Sequence, residues 1–223
     1  MGLTIDTFCV NDVGENTYLL TDSGEAVLID CGCFRKSEWM KVRSAIERSG
    51  CQLKALWQTH LHFDHTLGVP LAFADFPVPW FASPDDAPLL QAMKAQIDLF
   101  LGPQAAQNFD LDFIHHTPIP LHEGDQLQVG HTTFQVIETP GHTPGGLVFY
   151  APEEHLLFTG DTLFAGSVGR TDLPGGDWNT LCRSLRKLCL LPPQTTILPG
   201  HGPASTLGEE LRHNPYLRAA QQD

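Results

Sequence analysis

Apolar and polar positions in the first third of the chain fall into short runs. LTIDTFCV (3–10), NTYLLT (16–21) and EAVLID (25–30) are rich in β-branched and aromatic residues and are separated by Gly and Asn/Asp turns, the pattern of an opening β-meander. The period then lengthens. After Ser37, Trp39, Val42 and Ile46 share one face and Gly50 follows, which predicts a helix with a cap and a stop. LKALWQT (53–59) returns to a strand. Ser83 as N-cap, Pro84 at the first position, Asp85 and Asp86 at the positive end, apolar Leu89, Met93, Ile97 and Phe100, and Gly102-Pro103 beyond predict one helix over about 84–101. From 121 to 160 the runs DQLQV, TTFQVIE, GLVFY and HLLFTG read as a second meander. Trp178, Leu181, Leu185 and Leu188 after Asp177 mark another helix, and TTILPG (195–200) one more strand.

Strands, helices, strands, helix, strand describes an α+β chain in two similar halves, packed sheets with helices outside. No low-complexity linker divides them, so a single domain over 1–223 is expected. Twenty glycines and seventeen prolines are scattered without period and punctuate turns. A net charge of −13 without a Lys/Arg run argues against nucleic acid as a partner. The start MGLTIDTFCVND lacks the basic-then-apolar order of an export leader. The longest stretch free of charged residues, between Lys187 and Glu209, is broken by Pro192, Pro193, Pro199 and Gly200, so no membrane span is expected. The six cysteines form no C-x-x-C pair and read as reduced thiols of a cytoplasmic protein.

The chemistry is concentrated in Thr59-His60-Leu61-His62-Phe63-Asp64-His65, which puts four metal-capable side chains within six residues. His60 and His62 lie on one side of an extended backbone, so two imidazoles can grip one ion where the strand LKALWQT ends. Adjacent Asp64 and His65 cannot join them without a turn. A bend at Phe63 and a helix beginning near Asp64 would aim the second pair at a neighbouring point, which favours two metal positions over one. A catalytic zinc takes about three protein ligands and keeps a place for water, so each position still lacks at least one. His142 in TPGHTPGG, Asp161 in LLFTGDT and His201 in ILPGHG stand where strands give way to glycine-bearing turns and complete the count.

With VLIDCG (27–32), THLHFDH (59–65), GHTPGG (141–146), TGDTLF (159–164), VGRTDLPGGD (168–177), LPGHGP (198–203) and the tail STLGEELRHNPYL (205–217), the chain resembles the metallo-β-lactamase superfamily. Within it, the VGRTDLPGGD loop and the tail are similar to those of short glyoxalase II-like hydrolases. The resemblance implies a four-layer αββα sandwich, two packed mixed sheets with helices outside, and the site at one edge. It implies one metal held by His60, His62 and His142, a second by Asp64, His65 and His201, and Asp161 bridging both. Asp30, closing VLID, would brace the ligand loop from behind. The ions would be divalent, zinc in the first instance with iron or manganese possible.

By the same resemblance the activity is hydrolysis of a small thioester, with S-lactoylglutathione the leading candidate, through a hydroxide bridging the ions. Asp64 and Asp161 are the catalytic carboxylates. Two dications against Asp64, Asp161 and that hydroxide leave the site about +1 and favour anionic transition states. Long glyoxalase II enzymes add a C-terminal helical region with basic groups for glutathione, whereas 22 residues follow His201 here. Arg170, Arg212, Asn214, Tyr216 and Arg218 could serve a substrate carboxylate instead, and Arg170 with Asp172 could equally form an ion pair pinning its loop. Two alternatives are a mononuclear-iron persulfide dioxygenase and a metal-binding protein without catalysis. The partner expected is a small molecule; the acyl group, the thiol and the oligomeric state stay open.

Overall fold

The computed structural model describes residues 2–221. Its contacts divide the chain into two compact units, one running through Pro120 with Gln128–Thr132, the other comprising Leu121–Leu127 and the chain from Thr133. In the first, β1 (Thr4–Val10), β2 (Glu15–Asp22) and β3 (Glu25–Ile29) form the expected meander, followed by α1 (Lys36–Ser49) and β4 (Gln52–Trp57). Next come α2 (Phe63–Thr66), α3 (Val69–Asp75), β5 (Trp80–Ala82), α4 (Ala87–Gln91), α5 (Met93–Leu101) and β6 (Ile119–Pro120). The sheet is mixed, in the order β1-β2-β3-β4-β5-β6, with β3 to β6 parallel.

Helix α1 begins ahead of Ser37, because Glu38 reaches back to accept the amides of Phe34 at 2.8 Å and Arg35 at 3.0 Å. It ends on Gly50 at φ 66°, a left-handed stop that favours glycine. It buries Trp39, Val42, Ala45 and Ile46. The single helix expected over 84–101 is a sequence of three short pieces. Pro88 has no N–H to offer the Pro84 carbonyl, and the first turn closes as a 3-10 helix, Pro84–Asp86, through Ala87 N–H. A second break falls at Ala92, whose amide is shared between the Pro88 and Leu89 carbonyls, while the Gln96 side chain donates to Leu89 O at 2.7 Å. Leu89, Met93 and Ile97 are buried as their spacing predicts.

The second unit carries β7 (Gln126–Val129, shared with the first), β8 (Thr132–Glu138), β9 (Leu147–Ala151), β10 (Leu156–Gly160), β11 (Leu163–Phe164), β12 (Ser167–Val168), α6 (Trp178–Leu188), β13 (Thr196–Pro199), β14 (Ser205–Thr206), α7 (Leu207–His213) and α8 (Pro215–Ala220). Its sheet runs β14-β13-β10-β9-β8-β7, with β10 and β13 parallel. Asp177 caps α6 by accepting from Thr180 N at 2.7 Å, and the helix packs Leu181, Leu185 and Leu188 into a core with Leu157 and Ile197. No helix among the described residues is long and apolar enough to cross a membrane.

Both sheets place chemistry at the carboxyl ends of parallel neighbours. Ile29 lies opposite Trp57, so Asp30 and the segment Gln58-Thr59 leave β3 and β4 at one end. Gly160 lies opposite Pro199, so Asp161 and His201 leave β10 and β13 together. Parallel strand ends are where open mixed sheets present loops to a ligand.

Asp22, at the end of β2, fixes the 128–132 turn by accepting from His131 N at 2.7 Å, Thr132 N at 3.1 Å and Thr132 Oγ1 at 3.1 Å. Burial pushes its carboxyl up, but these donors and Ser23 outweigh that and hold it below the usual carboxylate range. With the folded value depressed, its stabilisation is present above an unfolded pKa of about 3.9 and is lost as pH falls through the folded value. Asp22→Ala is expected to cost about 1–3 kcal/mol in urea at pH 7. That deficit should shrink at acid pH, which matched melts would show.

Candidate metal centre

In the first unit the chain leaves β4 and runs extended through His60 and His62 before turning into α2. The Asp30 carboxylate organises this segment. Its Oδ1 accepts from Thr59 N at 2.8 Å and Gln58 Nε2 at 3.1 Å, and its Oδ2 accepts from Thr59 Oγ1 at 2.8 Å and His65 Nδ1 at 2.9 Å. Asp30 sits at φ 57°, in the left-handed region that Asp tolerates better than most residues, which turns its side chain back under the loop.

These bonds also assign tautomers. Thr59 Oγ1 spends its proton on Asp30, so the His60 Nδ1 3.1 Å away donates to it and leaves Nε2 with the lone pair. His65 donates from Nδ1 to Asp30, and its Nε2 is likewise the ligand atom. His60 Nε2 and His62 Nδ1 stand 3.1 Å apart, converging on one place. Asp64 Oδ2 lies 3.9 Å from His65 Nε2, so α2 presents a second converging pair. All four side chains are buried. Buried imidazole and carboxylate donors without thiolates suit a divalent ion such as zinc, iron or manganese.

Behind them lies Glu15, which sequence reasoning missed. It is fully buried, accepts from Thr17 Oγ1 at 2.7 Å, and its other oxygen has no hydrogen-bond donor among the described residues and stands 3.9 Å from His65 Nδ1. Burial, reinforced by the negative charge of Asp30, pushes its carboxyl well above the usual range. A Cβ at residue 32 would fall 2.1 Å from Asp64 O and 2.3 Å from Glu15 Oε2, so only glycine admits this approach.

In the second unit His142, Asp161 and His201 come together. Asp161 Oδ2 lies 3.5 Å from His142 Nε2 and 3.6 Å from His201 Nε2, spacings of donors that share an ion. His142 Nδ1 donates to the Arg170 carbonyl at 2.7 Å, and a carbonyl can only accept, so Nε2 is again the ligand atom. Gly169 makes this possible. A Cβ there would meet Asp161 O at 1.8 Å and the His142 ring at 3.0 Å.

The weaker candidates separate. The Arg170 guanidinium forms a two-bond ion pair with Asp172, at 2.7 and 2.8 Å, the pinned-loop alternative; Arg170 holds the Asp172 carboxyl down at about 2. Asn214 is fully buried, donating to Ser167 O at 3.0 Å and Glu210 Oε2 at 2.8 Å and capping α8 through Tyr216 N, so its amide serves the fold and not a substrate. Arg212 pairs with Glu209, and Arg218 donates to Arg212 O at 2.7 Å. Tyr216 is exposed, edge-on to Trp178.

A family model for the metallo-beta-lactamase superfamily matches residues 10–201. Hydroxyacylglutathione hydrolase GloC of Haemophilus influenzae is 34% identical over 224 residues, covering 97% of this chain and 99% of that protein. The solved structure of BLEG-1 B3 metallo-beta-lactamase aligns with a TM-score of 0.83 at 32% identity, over 96% of this chain and 99% of that one. TTHA1623 in a di-iron-bound form aligns with a TM-score of 0.81 at 36% identity, over 96% and 100%. The α+β fold of two mixed sheets with helices, expected from the motifs, is the fold of these structures.

Two substitutions test the local account. Asp30→Ala leaves the buried Thr59 amide and the His65 ring N–H without their acceptor, and should cost at least about 2 kcal/mol in urea denaturation. Gly169→Ala drives a methyl group into Asp161 O and the His142 ring and should cost about 1–3 kcal/mol, whereas alanine at exposed Gly166, which meets nothing within 4 Å among the described residues but has φ 71°, should cost only its backbone strain.

Proposed function

The chain belongs to the metallo-β-lactamase superfamily, and from that premise we propose that its two ligand groups form one binuclear centre that hydrolyses a small thioester. The observation that carries the reading is the donor set. Every ligand-type side chain of the family motif is present, and His60, His65 and His142 each have the other ring nitrogen engaged so that a lone pair is left for an ion. By the family pattern, His60, His62 and His142 would hold one ion, Asp64, His65 and His201 the other, and Asp161 both. The whole 1–223 chain acts here as one functional domain. When bound, two divalent ions lower the pKa of water from about 15.7 towards 7 and polarise a carbonyl.

The protein's own part is orientation and proton handling. Asp30 keeps the His65 imidazole in one tautomer, and the Arg170 carbonyl does the same for His142. In this reading Asp64 would take the proton of an attacking water. A thioester needs no general acid at the leaving group, because a thiolate departs unprotonated. That fits a site whose imidazoles would be committed as ligands. The similarity to GloC, whose name specifies a hydroxyacylglutathione, favours S-lactoylglutathione as substrate. Zinc is the first choice of metal, with iron supported by the di-iron relative and manganese compatible with the ligands. Six free cysteines fit a reducing, cytoplasmic setting. The net charge of −13 fits a small-molecule substrate and not nucleic acid.

The test is elemental analysis paired with a panel of acyl thioesters. Two ions per chain, turnover of S-lactoylglutathione, and joint loss of metal and turnover in Asp161→Ala are expected. A chelator should abolish turnover and added zinc, iron or manganese should restore it. One iron per chain with oxygen consumption on glutathione persulfide would replace this reading with the dioxygenase, and two ions with inertness towards thioesters, esters and lactones would leave a metal-binding protein.

A further inference from the structure

We propose that Asp86, together with Gln96, is a positioning residue of the metal centre, holding the backbone of the ligand segment between His60 and Asp64; the inference rests on the functional reading above. Beyond Gln58, whose amide still donates to Phe81 O at 2.9 Å, the segment has left the sheet, so the Leu61 and Phe63 amides have no strand to pair with among the described residues. Leu61 and Phe63 are 1% and 4% exposed, which also cuts them off from water. A buried N–H without an acceptor costs about as much as a lost hydrogen bond. Asp86 Oδ2 accepts from Leu61 N at 3.0 Å, and Gln96 Oε1 accepts from Phe63 N at 3.2 Å.

In an extended chain the amides of residues i and i+2 point to the same side. Two side chains therefore do for this segment what a neighbouring strand does inside a sheet. They fix it at Leu61, between the two imidazoles that converge at 3.1 Å, and at Phe63, between His62 and Asp64. Asn11 Nδ2 donates to Asp64 O at 2.9 Å, which adds a third hold at the end of the segment.

The broken helix now has a reason. Gln96 faces Phe63 with its own amide group anchored on Leu89 O at 2.7 Å, a carbonyl that a continuous helix would commit to the Met93 amide. Asp86 is fully buried although its neighbour Asp85 is exposed. A neutral acceptor would satisfy the Leu61 amide with less desolvation. A carboxylate beside the ligand segment is offset when cations bind next to it.

Metal retention against a chromophoric chelator should be compared for the wild-type protein, Asp86→Ala, Asp86→Asn, Gln96→Ala and the exposed control Asp85→Ala, with melts of the metal-stripped forms. Asp86→Ala is expected to release metal about 10- to 100-fold more readily, the range for residues that orient ligands. Asp86→Asn should recover part of the loss, because its amide oxygen can still accept from Leu61. Gln96→Ala should weaken retention and Asp85→Ala should not. If Asp86→Ala fails to fold, Asp86→Asn and Gln96→Ala carry the test. Folded Asp86 and Gln96 variants that hold metal like wild type would overturn the positioning role, as would Asp86→Asn releasing metal as readily as Asp86→Ala. A wild-type protein that binds no divalent ion fails the functional reading itself and takes this inference with it.

Discussion

The Asp30 carboxylate is the constraint on which the ligand segment depends. One side chain at the end of β3 accepts from the Thr59 amide, the Thr59 hydroxyl, the Gln58 amide group and the His65 ring. Those bonds decide where the chain leaves β4, which way His65 faces and, through Thr59, which nitrogen of His60 keeps its lone pair. That ordering comes from the chain's own hydrogen bonds. It lowers the entropy cost of gathering donors and leaves little reorganisation for the binding step.

The same logic recurs in the second unit with different parts. There a backbone carbonyl, that of Arg170, orients His142, and the parallel register of β10 and β13 brings Asp161 beside His201. In each unit a pair of parallel strands ends level, a glycine lets two backbone segments approach, and a hydrogen bond selects the histidine tautomer. The exposed Arg170–Asp172 pair closes the loop that carries this carbonyl, which gives the arginine a structural task whatever the substrate.

Much of this was legible in the sequence. The two meanders, the Trp39 and Trp178 helices and the turn into α2 follow from alternation, capping residues and the crowding of Asp64 against His65. The H-x-H-x-D-H segment was legible because its donors are contiguous, and Asp30 because it ends a strand motif. Short strands such as β5 and the edge strand β6 carry too few residues to show a period. Over 84–101 the local signals agree with a continuous helix, while Pro88 and the bonds of Gln96 to Leu89 and Phe63 accompany its breaks. Asp86, Gln96, Asn11 and Glu15 were illegible as site residues for one reason. Each reads locally as a helix-dipole acid, a helix-face polar residue, a turn former or a strand polar residue, and only tertiary placement brings it to the ligand segment.

The central claim is that five imidazoles and two aspartates, separate in sequence, meet around two cations. Anomalous diffraction from crystals grown with the native metal, recorded above and below its absorption edge, tests that most directly. The account predicts two peaks, one touched by His60, His62 and His142 and the other by Asp64, His65 and His201, with Asp161 reaching both. A single peak, or peaks on other histidines such as His115 and His116, would contradict it.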